Sequence, residues 1–202
     1  LHAEVEEVIG VWVEGVEVTP SLAGGLLQIP MIGAPQNPEV TVTYRSEINQ
    51  GADYGLSLDD GVLFSFHEPQ GARNWLVVYD DPADKATLEW RITAPSELVV
   101  AANGTLESSE TEGEETTWVF TMEEPIATYL MAIHAADYAI LEQETQDGIP
   151  IRHYIHPGTQ GAAWNTLGST PEIPLPNTNI FHFCPKGYCV RDDRVWDKEI
   201  DV

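Results

Sequence analysis

Hydrophobic and polar positions alternate along most of the chain, in short runs that recur from residue 11 to residue 155. The runs are VWVEGVEV (11–18), LLQIPM (26–31), EVTVTY (39–44), GVLFSF (61–66), NWLVVY (74–79), TLEWRITAP (87–95), ELVVAA (97–102), TTWVFTM (116–122), TYLMAIHAADYAIL (128–141) and IPIRHYI (149–155). Alternation with a period of two is typical of half-buried strands, and the Gly, Pro, Asn and Asp residues between runs form turns. The pattern predicts an antiparallel β protein.

Helical periodicity is nearly absent from this sequence. No long stretch places apolar residues at the i, i+3, i+4 and i+7 spacing of an amphipathic helix. A sandwich of two twisted antiparallel sheets is the architecture that this pattern favours. The composition of ESSETEGEE (107–115) indicates a polar hairpin loop.

The alternation of hydrophobic and polar residues ends after residue 157. The stretch GTQGAAWNTLGSTPEIPLPNTN has no periodicity and carries three prolines, which is typical of a linker or a poorly ordered extension. We therefore predict one β domain over 1–157 and an irregular Pro/Gly-rich extension of unknown fold over 158–202.

Composition narrows the class of partner. The chain has 202 residues, of which 43% are hydrophobic, and this suits one large domain or a domain with an appendage. Thirty-three acidic residues against nine basic ones give a formal net charge of -24, with no stripe of Lys and Arg to follow a phosphate backbone. The acids predict a solvated acidic surface, and nucleic acid is excluded as a partner.

No apolar stretch approaches the ~20 residues that a membrane-spanning helix needs. Residue 1 is Leu, and no charged segment precedes an apolar one as in a signal peptide. We expect a soluble chain that is a piece of something longer. A salt-rich, secreted or cell-envelope setting would fit the acidity, but charge does not decide the compartment.

An ordered set of residues between 65 and 90 resembles the N-terminal β domain of the aminopeptidase N family of zinc peptidases. That family has an acid or amide, then Ala-Arg, an aromatic, Asp-Glu-Pro and Lys-Ala-Thr. The matching residues here are Glu68, Ala72, Arg73, Trp75, Asp80, Asp81, Pro82, Lys85, Ala86 and Thr87, followed by Asn103-Gly104 and by Thr128-Tyr129-Leu130 with Ala132. The resemblance implies a saddle-like antiparallel β-sandwich.

The resemblance covers residues 1–157 and has two departures. Leu76-Val77-Val78 stands where the family has an aromatic-Pro-Cys run. The match also begins partway into the family's domain, as if its first strands were missing.

The zinc motif of the family is absent. Its chemistry needs an HExxH helix, in which two histidines four residues apart bind zinc beside a glutamate base. Residues 67–71 of this chain are HEPQG, so Gly71 stands where the second zinc ligand of the motif would be. Pro69 is also unfavourable in the interior of a helix. We therefore predict that this chain alone is inactive and holds no cofactor, and that zinc belongs to the catalytic domain of the parent family.

The resemblance implies a substrate-binding role for Glu68. In the family, the residue at this position lies at the wall of the active cleft and binds the free α-amine of a peptide, so that peptide N-termini would be the partners. The physical basis is a charge-assisted hydrogen bond from an ammonium to a carboxylate. The alternative is that Glu68 is an ordinary solvated acid at a strand end.

Other residues of the motif have structural interpretations. Arg73 can pair with Asp80 or Asp81 and hold the loop, because the guanidinium fork binds a carboxylate in a fixed plane. Asp81-Pro82, followed by Lys85, is typical of a turn.

Histidines and cysteines offer weak metal sites. His153 and His156 would point to opposite faces of a strand. His182, Cys184 and Cys189, in HFCPKGYC, have the side chains of a small zinc knuckle, but a single CxxxxC equally fits a disulfide-closed loop.

Two functions are compatible with these observations. The first is the non-catalytic N-terminal domain of a zinc aminopeptidase, present here as a fragment or as a degenerate relative. The second is a stand-alone β-sandwich binding or adhesion module, whose contacts would be sought among Trp75, Trp90, Trp118 and Trp164.

Overall fold

The computed structural model describes residues 1–51, 54–144, 150–155 and 181–184. These residues form strands joined by turns, with two single 3₁₀ turns at Ala72–Asn74 and Thr128–Leu130 and no α-helix. The strands are β1 (Glu7–Val13), β2 (Val16–Glu17), β3 (Ser21–Ala23), β4 (Leu26–Gln28), β5 (Val40–Arg45), β6 (Asn49–Gln50), β7 (Gly55–Asp59), β8 (Val62–Phe66), β9 (Lys85–Pro95), β10 (Val99–Ala102), β11 (Thr105–Glu112), β12 (Glu115–Ala127), β13 (Ile133–Ala136), β14 (Ala139–Glu144), β15 (Pro150–Ile155) and β16 (Phe181–Cys184). The predicted all-β class, built on antiparallel pairing, is confirmed.

The chain divides into two compact units. The first contains Leu1–Thr87 and Glu123–Ala132, and the second contains Leu88–Met122 and Ile133–Val202. The predicted boundary at 157/158 lies outside the described residues and stays a prediction. Within the described part of the chain, no helix is long and apolar enough to cross a membrane.

The first unit is built on the sheet β2-β1-β5. The antiparallel register pairs Val11 with Val42 and Val13 with Val40, so these valines share one face. Alternation places their side chains inward, while the threonines of β5 face outward and are exposed. The buried side of this sheet packs with β4 around a core of Ala3, Val11 and Leu27.

The hairpin β7-β8 leads the chain into the candidate site. Leu58 pairs with Leu63 and Asp59 with Val62, across a turn formed by Asp60 and Gly61. Both turn residues have positive φ, 48° and 80°, as a two-residue type I′ hairpin requires. Strand β8 therefore ends in a fixed position at Phe66.

The run NWLVVY (74–79) was expected as a strand, and this prediction is wrong. It begins in the 3₁₀ turn, and only Val78 makes a β-bridge, to His2. Trp75 and Leu76 are both buried, although neighbouring residues of a half-buried strand point to opposite faces. Their N–H groups instead bond to the carbonyl of Ala72, at 3.2 and 2.8 Å.

The second unit contains the sheet β11-β12-β9, the pair β10-β13 and the sheet β14-β15-β16. Burial along β9 alternates, with the side chains of residues 88, 90, 92 and 94 partly buried. Strand β15 is antiparallel to β14 and parallel to β16. Tyr138 and Tyr154 are both buried, with ring centroids 5.9 Å apart in an edge-to-face contact.

The acidic segment 107–115 forms a hairpin as predicted, but most of it is strand rather than loop. Strand β11 continues to Glu112 and β12 begins at Glu115. The two strands are joined near the tip by the hydroxyls of exposed Thr111 and buried Thr116, 2.9 Å apart. Composition suggested a loop because residues 107–112 are exposed on both faces of the ribbon.

Candidate functional site

The candidate site is a tight loop over residues 67–71, immediately after β8. His67 is buried at 2% exposure, whereas the next three residues, Glu68, Pro69 and Gln70, are exposed. The N–H of Gly71 donates to the carbonyl of His67 at 2.7 Å and closes the loop. The buried ends therefore present the three middle residues to solvent.

Glu68 lies at the tip of this loop. Within the part of the chain that the structure describes, its carboxylate makes no hydrogen bond and no ion pair. Its backbone, in contrast, is held: the Glu68 carbonyl accepts a hydrogen bond from the Tyr54 hydroxyl at 2.8 Å. The main chain of the loop is therefore held by hydrogen bonds, while the Glu68 carboxylate is available to bind a ligand.

Beneath the loop, a buried carboxylate joins distant segments. The Asp80 side chain is fully buried, and its Oδ2 accepts from Arg73 Nε at 2.9 Å and from the Arg73 N–H at 3.3 Å. The second arm of the guanidinium, Nη2, donates to the Asp80 carbonyl at 2.9 Å. Sequence reasoning had left Asp80 and Asp81 as alternatives, and the structure brings Asp80 to Arg73.

Two further residues complete this cluster, and sequence reasoning did not assign them to it. Thr128 Oγ1 donates to Asp80 Oδ1 at 2.8 Å, and the Asp80 N–H donates to His2 Nδ1 at 3.0 Å. Thr128 was noted only as the start of a Thr-Tyr-Leu match, and nothing in the sequence pairs either residue with position 80. The buried charge is compensated by hydrogen bonds from Arg73 and Thr128, while His2 holds the main chain of Asp80.

The Asp81-Pro82 turn is also present. Asp81 Oδ1 accepts from the N–H of Ala83 at 2.9 Å, and its carbonyl accepts from the N–H of Asp84 at 2.9 Å. An aspartate that bonds the backbone two residues on is a common turn former. Lys85 is exposed at the start of β9, so it lies at the surface.

The surroundings of His67 disfavour its charged form. Burial lowers its pKa, while nearby backbone groups of Met131 and Tyr129 and the charge of Asp80 oppose this shift. Its ring lies against Trp75, with centroids 6.1 Å apart and planes inclined by 31°. Neither ring nitrogen reaches a described side-chain or main-chain group at good hydrogen-bond geometry.

The site has no zinc-ligand set. The HEPQG segment forms a loop, with His67 turned inward and Glu68 outward, so the two cannot act as ligand and base on a helix face. Over residues 1–51, 54–144 and 150–155, no three His, Cys, Asp or Glu side chains converge on a point where a metal could bind. The residues present do not fit a catalytic zinc ion.

The other metal candidates are separate from this loop. His153 Nε2 lies 3.2 Å from Gln143 Oε1, and His156 is outside the described residues. Of the knuckle candidates His182, Cys184 and Cys189, the first two lie in β16 with side chains that are not described, and Cys189 falls outside the described residues. The zinc-knuckle hypothesis stays a prediction.

Comparison with protein families gives one match that covers half of the chain. The family described as the peptidase M1 N-terminal domain matches residues 26–130, which include the whole of the loop and of the Asp80 cluster except His2.

Relatives of known name show the same correspondence. Aminopeptidase M1 of Arabidopsis thaliana is 35% identical over 92 residues, which are 45% of this chain and 10% of that protein. Aminopeptidase N of Acetobacter pasteurianus is 30% identical over 121 residues, 59% of this chain and 34% of that protein. The glutamyl aminopeptidase of Rattus norvegicus is 28% identical over 100 residues. The chain thus spans about a third or less of the length of these relatives.

Solved structures share the fold. The M1 zinc metallopeptidase of Deinococcus radiodurans superposes with a TM-score of 0.64 at 18% identity, over 83% of this chain and 44% of that one. Aminopeptidase A of Legionella pneumophila, solved with aspartic acid, gives a TM-score of 0.69 at 22% identity, over 87% of this chain and 23% of that one.

Proposed function

This chain belongs to the peptidase M1 N-terminal domain family, and from that premise we propose that it forms one wall of the substrate cleft of a zinc aminopeptidase, where Glu68 binds the α-amine of the peptide. The family is one of zinc metallopeptidases. Zinc and the hydrolytic groups would belong to a catalytic domain, and this chain would supply substrate binding.

The observation that carries the proposal is the state of the Glu68 carboxylate. It is exposed and has no partner in the described part of the chain, on a loop whose backbone is fixed. An acid that only served the fold would be expected to contact another group of the domain, as Asp80 does. An uncommitted carboxylate on a rigid loop is suited to a cationic ligand.

Such a carboxylate can perform one task in peptide hydrolysis. It accepts hydrogen bonds from the terminal ammonium and so fixes the distance between the peptide's first residue and this wall of the cleft. Only the first peptide bond then lies where a catalytic domain could act on it, because binding has set the register in advance. The step that this chain contributes is therefore orientation of the substrate.

Replacement of Glu68 tests the proposal in an M1 enzyme that carries this domain beside a zinc-binding catalytic domain. Glu68→Ala removes a charged hydrogen bond that contributes ~1.5 to 3 kcal/mol to the binding free energy. We therefore expect KM for alanine p-nitroanilide to rise about 10- to 150-fold. Glu68→Gln should lose less, because it keeps an acceptor oxygen.

Two controls accompany this measurement. Glu110→Ala removes another exposed acid, from β11, and should leave KM unchanged. The chain alone, with added zinc, should release no p-nitroaniline. If KM is the same in the Glu68→Ala and Glu110→Ala enzymes, Glu68 returns to the ordinary surface acids.

The alternative of a stand-alone binding module lacks a supporting observation of this kind. Of its candidate aromatic contacts, Trp75 is buried at 6% exposure, and Trp90 and Trp118 are partly buried on strands. Trp164 lies outside the described residues.

A further inference from the structure

Three main-chain groups of the Glu68 loop converge on one side-chain oxygen. The hydroxyl of Tyr54 donates to the carbonyl of Glu68 at 2.8 Å and lies 3.4 Å from the carbonyl of His67. The same oxygen accepts from the N–H of Gln70 at 3.2 Å. The hydroxyl therefore bonds the peptide groups on both sides of the exposed tip.

The ring of Tyr54 occupies the concave side of the loop. A Cβ atom added at Gly71 would lie 2.4 Å from Tyr54 Cε1 and 2.7 Å from Cζ, so glycine is needed at the point where the ring passes. On its other side the ring meets Phe66 edge-on, with centroids 5.8 Å apart and planes inclined by 81°. The phenol is thus confined between the end of β8 and the end of the loop.

We propose that Tyr54 is a positioning residue for substrate binding, which holds the backbone of Glu68 so that its carboxylate is already placed when the peptide amine arrives. This inference rests on the function proposed above for Glu68. Glu68, Pro69 and Gln70 are exposed, so the loop has little buried surface of its own to fix its shape. The Tyr54 hydroxyl replaces water as the partner of the Glu68 carbonyl and the Gln70 N–H.

The consequence for binding is entropic. A loop that moves freely must be ordered by the substrate, and the cost of that ordering is subtracted from the binding free energy. A loop ordered by Tyr54 binds the same amine more tightly without any added contact to it. Removal of the hydroxyl alone should therefore weaken substrate binding and leave the chemical step unchanged.

A double-mutant cycle separates this role from a purely structural one. In the M1 enzyme that carries this domain, Tyr54→Phe removes the hydroxyl and keeps the ring. We expect KM for alanine p-nitroanilide to rise about threefold to tenfold, with kcat within about twofold of the unmodified enzyme. In the Glu68→Ala background, Tyr54→Phe should cause no further rise in KM, because its effect passes through Glu68.

The outcomes that would overturn the inference differ from those that would overturn the proposed function. If Glu68→Ala raises KM and Tyr54→Phe does not, positioning by Tyr54 is wrong and the amine site stands. If Tyr54→Phe raises KM equally with and without Glu68, Tyr54 acts by another route and the inference fails. If Glu68→Ala has no effect on KM, the proposed function fails and the inference fails with it.

Hydrogen exchange of the 202-residue chain tests the same contact without catalysis. The Gln70 amide is bonded to the Tyr54 hydroxyl, whereas the Val18 amide is bonded to the Val11 carbonyl at 2.9 Å, outside the loop, and serves as the internal reference. In Tyr54→Phe we expect Gln70 exchange to accelerate at least about fivefold relative to Val18. Equal ratios in the two proteins would show that the hydroxyl does not order the loop.

Discussion

At the scale of single residues, this domain separates two kinds of carboxylate. Asp80 is fully buried and its carboxylate takes hydrogen bonds from Arg73 and Thr128, whereas the Glu68 carboxylate is exposed and makes no hydrogen bond or ion pair in the described residues. A buried charge is tolerated only when its hydrogen-bonding capacity is met, so Asp80 is committed to structure. The same physics leaves Glu68 available for a ligand.

We predict that Thr128→Val destabilises the chain while Thr128→Ser does not. Valine keeps the volume of threonine but removes the hydroxyl that donates to Asp80 at 2.8 Å. A hydrogen bond to a buried charged group contributes ~1.5 to 3 kcal/mol, and serine retains the donor. Urea unfolding of the three proteins measures the difference in the free energy of unfolding. Equal stability of the Val and Ser variants would mean that the hydroxyl does not support Asp80.

At the scale of elements, the hairpin β11-β12 depends on glycine at its base. Gly104 has φ +98°, and a Cβ atom there would lie 2.4 Å from the carbonyl oxygen of Thr121. Gly113, at the tip, has φ +64° and open space around the position of a Cβ. The two glycines share the need for positive φ, and only the first is also confined by a neighbouring backbone.

This difference gives a matched pair of variants. Gly113→Ala should cost ~1 kcal/mol, the conformational cost of a positive φ for alanine. Gly104→Ala should cost more, on the order of 2 to 4 kcal/mol, because the backbone must also shift. Thermal and urea unfolding would measure both, and equal losses would show that Thr121 yields without cost.

The strands were predicted most directly where burial alternates, although the run ELVVAA also gave β10, in which three successive residues are buried. Along β5 every second side chain is partly buried, so the alternation in the sequence reports directly on the sheet, whereas in β1 a register shift between Val8 and Gly10 interrupts it. Trp75 and Leu76 are buried in succession, and a run of apolar letters does not distinguish a strand from an irregular buried segment. Long-range tertiary packing decided the conformation there.

The candidate site was predictable to the same extent. Glu68 could be singled out because it belongs to an ordered set of motif residues close together in the chain. Tyr54 and Thr128 lie 14 and 48 residues from their partners Glu68 and Asp80, and no local spacing rule connects positions so far apart. Their roles follow only from the folded arrangement.

At the scale of the whole chain, each compact unit contains a histidine whose surroundings disfavour the protonated form. Burial lowers the pKa of His67 in the first unit and lowers the pKa of His134 in the second to about 4. In the unfolded chain both have the ordinary value of 6.5. Below that pH these two histidines bind protons in the unfolded chain but less readily in the folded chain. Acid therefore favours unfolding.

We therefore predict that the free energy of unfolding falls as pH is lowered from about 6.5 to 5, by up to ~1.4 kcal/mol per pH unit for each histidine. Above about pH 7.5 both histidines are almost entirely neutral in both states and contribute little slope. Urea unfolding at pH 7, 6 and 5 measures the trend, and His134→Gln should reduce the slope because glutamine does not titrate. An unchanged slope in that variant would assign the acid sensitivity to other groups.

The Tyr54 hydroxyl holds Glu68 and Gln70 through their peptide groups, and this has a bearing on how the domain can diversify. Hydrogen bonds to main-chain groups do not depend on the side chain at position 68. This residue can therefore be substituted without a change in the shape of the loop. An acid, an amide or another polar residue at position 68 would then have its side chain in the same place on the loop. A substitution at position 68 would then change which ligand the loop binds. The shape of the loop would depend instead on Tyr54 and Gly71.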